Sequence, residues 1–167
     1  YVSCQKDILE GRVVVDAVEG EKGIVYSGEK PVGQYTLIPP VYIGRHVQIG
    51  TAAQIGPFAV LDDDCHVGNN AKVRGSVLLE SSYIGDGVAL TGALLCHGSS
   101  VRKGSSLFEG SVIGEGSVIG KHTSIQPEVK IWPGKKIDDN TVVEDLMKGY
   151  IYKDGRVVRH SMVKVAN

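Results

Sequence analysis

Residues 111–137 read SVIGEGSVIGKHTSIQPEVKIWPGKKI, and in them Ile113, Ile119, Ile125, Ile131 and Ile137 fall six residues apart. That spacing matches neither the alternation of a half-buried strand nor the 3.6-residue period of a helix. The stretch asks for a geometry in which every sixth side chain meets one interior.

Outward from it the period holds. Steps of six from Ile43 reach Ile49, Ile55, Leu61, Val67 and Val73. A five-residue step leads to Leu78, Ile84, Leu90 and Cys96, and a second leads to Val101, Leu107 and the five isoleucines. All seventeen positions so reached are aliphatic or cysteine. The position four residues after each is nearly always small or β-branched, as at Ala53, Ala59, Cys65, Ala71, Ser105, Ser111, Ser117 and Thr123; only Leu94 and Lys135 break the rule. Glycine follows the aliphatic at 44, 50, 56, 68, 85, 114 and 120, where a corner needs backbone freedom or a close approach.

This is a hexapeptide pattern, the sequence mark of a parallel β-helix. Each six residues supply one short flat strand and one corner. Three of them make a coil, and coils stack at the ~4.8 Å strand spacing. Residues 43–142 then give five to six coils, a column roughly 25 Å tall, in an all-β fold. Each buried aliphatic contributes ~1.5–3 kcal/mol, whereas ordering each residue's backbone costs ~1–2 kcal/mol. Burial alone therefore does not hold the column, and stacked main-chain hydrogen bonds must contribute.

Both ends differ from the repeat. QKDILEG reads as a short helix, GRVVVDAV as a strand, and EGEKGIVYSGEKPVG as a polar connector ending near Pro39-Pro40. GYIYKDGRVVRH alternates around Asp154-Gly155, a two-residue hairpin signal. The expected division is a connector over 1–40, the column over 41–145 and a cap over 146–167. The ends are expected to cover the open coils, whose edges would otherwise invite another chain.

Eighteen basic and nineteen acidic residues give a formal charge of -1, and neither sign forms a long run. Nucleic acid is thus an unexpected partner. No apolar run nears the roughly 20 residues that span a bilayer, and YVSCQKDILE lacks a signal-peptide layout, so a cytoplasmic, membrane-free protein is expected. The chain opens at Tyr1 with methionine only at Met147 and Met162, which reads as a processed product or a cut piece of a longer protein.

DILEGRV at 7–13, YIGRHVQIG at 42–50, FEGSVIGEGSVIG at 108–120 and above all VKIWPGKKI at 129–137 resemble the region behind the catalytic domain of sugar-1-phosphate nucleotidyltransferases. The resemblance is nearest to mannose-1-phosphate guanylyltransferase-like proteins, some fused to a phosphomannomutase domain. It implies a left-handed β-helix, although the general rule for parallel crossovers favours the right hand. It also implies an N-terminal nucleotidyltransferase domain as partner, where magnesium would serve the chemistry, and a homo-oligomer. The GGxGTRL-type loop of that catalytic domain is absent here, as are P-loop and dinucleotide fingerprints. No catalytic, cofactor-binding or metal residue is therefore assigned to this chain. The sequence beyond Leu146 does not resemble the start of a mutase domain.

Hexapeptide columns also serve acyltransferases, with a histidine base beside a subunit groove, and three-histidine zinc enzymes. His46 and His122 fall in turns, His66 in the middle of the second face and His97 just after an inward Cys96, at heights one to three coils apart. A single zinc about 2 Å from three of them is implausible. His122 or His97 remains the candidate base for the alternative reading, a self-contained acyltransferase. Against it, no long loop interrupts the repeat to fold over a thioester. Cys4, Cys65 and Cys96 have no CxxC spacing and are odd in number, so core packing is the expected use of the last two.

The surface signal is apolar. Up one face run Tyr42, Val60, Leu95 and Val112, with Leu79 and Trp132 two positions further on. The next face reads Gln48, His66, Tyr83, Ser100 and Val118, and the third Gln54, Lys72, Ala89, Ser106 and Ser124. The greasy face is the expected docking surface for another subunit or domain, unless the chain's own ends cover it.

Overall fold

A computed structural model describes residues 18–19, 23–144, 151–153, 156–158 and 164–166. The expected helix near the N-terminus, most of the strand after it and Cys4 lie outside the described residues.

Each hexapeptide does two jobs. Val118–Ile119 is a two-residue strand, Gly120 to Thr123 turn the chain, and Ser124–Ile125 is the next strand. The turn is completed by a left-handed residue two positions after the glycine, His122 here with φ 51°. Repeated, this builds three flat walls of parallel strands. The walls stack in register: Ile113 pairs with Ile131, Ile119 with Ile137 and Ile125 with Val143. Ile113, Ile119 and Ile125 come from three different walls, are fully buried and share one core. The chain is a left-handed parallel β-helix, and among the described residues it has no helix.

Apart from Gly56, whose φ is 102°, the glycines after the aliphatics serve close approach rather than positive-φ backbone. A Cβ on Gly120 would lie 2.5 Å from Asp139 Oδ1 and 2.6 Å from Asp139 N. The carboxylate is there because it accepts a hydrogen bond from Lys121 N at 2.7 Å, closing the corner one coil above its own.

The column begins earlier than residue 41. Ile24–Tyr26 pairs in parallel with Val41–Ile43, and Thr36–Leu37 with Gln54–Ile55. The supposed connector thus holds most of another coil, giving about seven turns instead of five to six. The period hid it because residues 27–35 replace the second-wall strand of that coil.

The second five-residue step also sits elsewhere. Leu78 pairs with Leu95, and Leu95 with Ile113, so Leu95 is the inward residue and is fully buried. Cys96 is half-buried at the following corner. The short step runs from Leu90 to Leu95, directly beneath the one from Val73 to Leu78. Both omit a residue at the corner between third and first walls, where Gly92 N donates to Arg74 O at 2.9 Å. Stacked deletions preserve the register; displaced by one wall, they would not.

At the far end Ile151–Lys153 and Arg156–Val158 form the expected antiparallel hairpin. Its second strand pairs with Lys136, and Lys164–Ala166 pairs antiparallel with Val142–Glu144. At the near end Val18–Glu19 pairs antiparallel with Ile24–Tyr26. Two of the last coil's edges are thus occupied by backbone, which blunts a template for further strands.

Candidate docking face

The outward file of the first wall runs Val25, Tyr42, Val60, Val77, Leu94 and Val112, and ends at Lys130. Tyr42, Val60 and Val112 stand where the sequence puts them. Leu95 does not; it points inward, and its neighbour Leu94 takes the surface place. Val77 was missed for the same reason, since Ser76, fully buried, is the small inward residue of that strand. The signal was present: Leu94 broke the small-residue rule because Ala93 occupies that slot.

Val60 and Val77 point out of the wall and lie outside the core cluster, yet each is only 8% exposed. These two valines divide the file, with Val25 and Tyr42 half-buried above them and the aromatic-flanked part of the face below. There Leu94 and Val112 are half-buried. Phe108, at the corner before this wall, is 39% exposed and Trp132, at the corner after it, 66%. Leu79 is half-buried in the same corner file as Cys96 and Trp132. Two aromatic rings thus flank two aliphatic side chains across one flat sheet.

The second wall keeps the expected file. Gln48 Oε1 lies 3.1 Å from His66 Nδ1, and the His66 and Tyr83 rings stack at 4.9 Å with 9° between planes. That places His66 in a surface stack. His46 is exposed and 3.5 Å from Asp64 Oδ1. His97 and His122 sit at different corners, the former between first and second walls, the latter between second and third. Neither has a carboxylate partner among the described residues, so nothing orients either as a base. Among the described residues no three His, Cys, Asp or Glu side chains are grouped to hold a metal ion, and no catalytic step is derived through one.

Cys65 packs inward as expected. Burial pushes its thiol up to about 12 against the opposing pull of the Ser82 and Asp62 backbone N–H groups, with smaller upward pushes from the Asp62 and Asp63 carboxylates, and Sγ donates to Leu79 O at 3.2 Å. The Cys96 thiol is raised by partial burial and then by Glu115. Tyr35 is raised by burial and by Tyr26, and its hydroxyl donates to Pro31 O at 2.5 Å.

Residues 37–147 match the family model described as the GMPPB C-terminal domain. Among curated proteins, the bifunctional protein GlmU of Nitrosospira multiformis is 31% identical over 106 residues, covering 52% of this chain and 23% of its own length. The GlmU of Buchnera aphidicola is 35% identical over 63 residues, or 38% of this chain and 14% of its own. The chain thus spans less than a quarter of the curated relatives it matches. Among solved structures, UDP-N-acetylglucosamine acyltransferase from Campylobacter jejuni superposes with a TM-score of 0.53 at 21% identity, over 73% of this chain and 63% of that one. This likeness shows the β-helix fold alone. Among the described residues no helix is long and apolar enough to cross a membrane.

Proposed function

This chain belongs to the GMPPB C-terminal domain family, and from that premise we propose that it is the scaffold of a sugar-1-phosphate nucleotidyltransferase of the mannose-1-phosphate guanylyltransferase type. In this reading the column works in the cytoplasm, joins copies of the protein through the lower first wall, and holds or regulates an N-terminal catalytic domain. Magnesium belongs to that domain's chemistry. The observation that carries the reading is the extent of the family match, which coincides with the column from its third-wall strand at Thr36–Leu37 to the last coil. A stack of hydrogen-bonded rungs around a dry interior resists bending, which suits a part whose work is to fix distances between other parts.

The surface quartet of Phe108, Leu94, Val112 and Trp132, two exposed rings and two half-buried aliphatics, is where assembly is read out. Aromatic and aliphatic anchors at the centre of a flat patch carry most binding energy in protein interfaces. Leu94→Glu with Val112→Glu places two charges there without touching the core. We expect a dimer or trimer in light scattering to fall to monomer with an unchanged circular dichroism spectrum. An unchanged mass removes this face from the interface. Joined to its upstream coding segment, the chain is expected to make a nucleotide sugar from a sugar phosphate; failure with the common sugar phosphates, or acyl transfer from a thioester by this chain alone, overturns the proposal.

A further inference from the structure

The corner between second and third walls carries a ladder of side-chain caps that stops and starts. Thr51 N donates to Asn69 Oδ1, and Asn69 N to Asp86 Oδ1, both at 2.8 Å. Further down, Lys121 N donates to Asp139 Oδ1. Between these, the ladder positions are Lys103 and Lys121, and a lysine has no acceptor. The backbone N–H groups of Asp86 and Lys103 consequently have no protein acceptor among the described residues. They face the stems of Lys103 and Lys121, one coil apart.

The same two rungs carry three cations. Arg102, Lys103 and Lys121 are exposed and line one open groove of about 390 Å³ with Tyr83, Gly85 and Asp86. None of the three cations has an ion pair among the described residues. Like charges stacked ~4.8 Å apart on neighbouring strands repel, so the arrangement is relieved by an anion between them. The only carboxylate in the groove, Asp86, already accepts from Asn69 N. The other interrupted corner shows what the basic residues add. Between first and second walls the N–H groups of Glu80, His97 and Glu115 also have no acceptor among the described residues, but that file holds two carboxylates and a histidine where this one holds lysines.

Tyr83 supplies a second kind of contact. One face of its ring is stacked on His66, the ring is 43% exposed, and the next residue down the same file is Ser100. The file of stacked rings therefore stops above a small side chain, beside the cations.

We propose that this corner binds a diphosphate-bearing ligand, its two phosphoryl groups meeting one N–H and one lysine on each of the two rungs. Arg102 flanks them with a guanidinium suited to two-point contact with phosphate oxygens. A nucleoside base attached to the diphosphate continues the stack below Tyr83, over Ser100. The site is a property of this chain and stands apart from the scaffold reading.

Calorimetric titration of the 167-residue chain with inorganic pyrophosphate, ADP, GDP and inorganic phosphate, at about 0.1 M salt where surface attractions reach only ~10 Å, tests it. We expect saturable binding of the diphosphates at or below low millimolar concentration, weaker binding of phosphate, and amide shifts at Asp86 and Lys103 in ¹⁵N spectra. Lys103→Ala with Lys121→Ala lowers diphosphate affinity at least tenfold, while Lys72→Ala with Lys136→Ala, exposed cations outside the groove, leaves it within twofold. If nucleotides bind more tightly than pyrophosphate and Tyr83→Ala erases the difference, the ligand is a nucleoside diphosphate; equal binding assigns the site to free diphosphate. Absence of saturable binding, equal loss in both lysine pairs, or phosphate binding as tightly as pyrophosphate overturns the proposal.

Discussion

The upper and lower halves of the column face one problem and solve it from opposite sides. Every corner exposes backbone N–H and C=O groups that no strand partner reaches. In the upper coils the inward small residues are Val47, Ala53, Ala59, Cys65 and Ala71, mostly without a strong polar group, and corners are closed from outside. Asp63, Asn69 and Asp86 accept from Arg45 N, Thr51 N and Asn69 N at 2.7, 2.8 and 2.8 Å. In the lower coils, with Val88, Ala93, Val129 and Lys135 as the exceptions, the small slots hold Ser76, Ser82, Ser99, Ser105, Ser111, Ser117, Thr123 and Thr141, all buried. Their hydroxyls close corners from within: Ser105 donates to Gly120 O and accepts from Thr123 N, and Ser117 donates to Trp132 O and accepts from Lys135 N. A hydroxyl is small enough to share the interior with isoleucine and polar enough to satisfy two backbone groups at once. The lower corners are thereby freed to carry a side chain that accepts no hydrogen bond, such as Lys103.

The difference should vanish in the core and appear at the corners. Ile55→Ala and Ile119→Ala, one in each half and both fully buried, are each expected to cost about 2–5 kcal/mol in chemical denaturation. Values differing by more than about 2 kcal/mol would show that the halves pack differently as well. Next in size come Gly68→Ala and Gly120→Ala, at about 1–3 kcal/mol of overpacking. Their added Cβ would stand 2.5 Å from Asp86 N and from Asp139 Oδ1 respectively. Each also meets the other kind of atom, Asp86 Oδ1 at 2.7 Å and Asp139 N at 2.6 Å, so Asp139→Ala should recover only the side-chain part of the Gly120→Ala loss. No recovery would mean that backbone alone sets the glycine requirement.

Corner removal separates the halves most directly. Ser117→Ala removes, from a fully buried position, the hydroxyl that accepts from Lys135 N and donates to Trp132 O, and is expected to destabilise by about 1–3 kcal/mol. Asn69→Ala uncovers Thr51 N–H at an exposed corner, where water replaces the lost acceptor, with an expected loss of about 0.5–1.5 kcal/mol. The inside solution is therefore the more sensitive to deletion. A reversed order in denaturation midpoints would refute the division drawn here.

How legible this was depends on what the period records. Inward aliphatics six residues apart repeat without interruption from Leu107 to Ile137, and there wall, register and burial all follow from counting. Around Leu90 to Val101 two alignments place an apolar residue inside, because Leu94, Leu95 and Cys96 are consecutive, and the large-residue count cannot choose. The small-residue slot decides, since Ala93 fits it and Leu94 does not. The coil at 24–43 escaped because one of its three strands is replaced by a loop, leaving no six-residue step to follow. The hand of the winding depends on backbone torsions at corners, which hexapeptide spacing does not encode. The unpaired N–H groups at Asp86 and Lys103 were invisible for a different reason: they arise from residues 17 and 18 positions apart coming into register, which requires the coil lengths to be known first.

The smallest effect concerns the two described cysteines, which the sequence treated alike and the structure separates. Cys65 lies inside the upper half with its thiol pushed up to about 12, first by burial. Cys96 sits at a corner of the lower half, raised by partial burial and Glu115. The thiolate is the reactive form, so at pH 8 in a Cys4→Ser background iodoacetamide should label Cys96 well before Cys65, and unfolding in urea should make the rates converge. The same shift has a sign for stability. A thiol whose folded value lies above its ordinary 9.0 keeps its proton longer in the fold than in the unfolded chain. Stability is thus fully present below about pH 9 and falls as pH climbs toward about 12. Cys65→Ala, which removes the titrating group while filling the slot as Ala53 and Ala59 do, should flatten that alkaline decline; a decline of unchanged steepness would assign it to other groups.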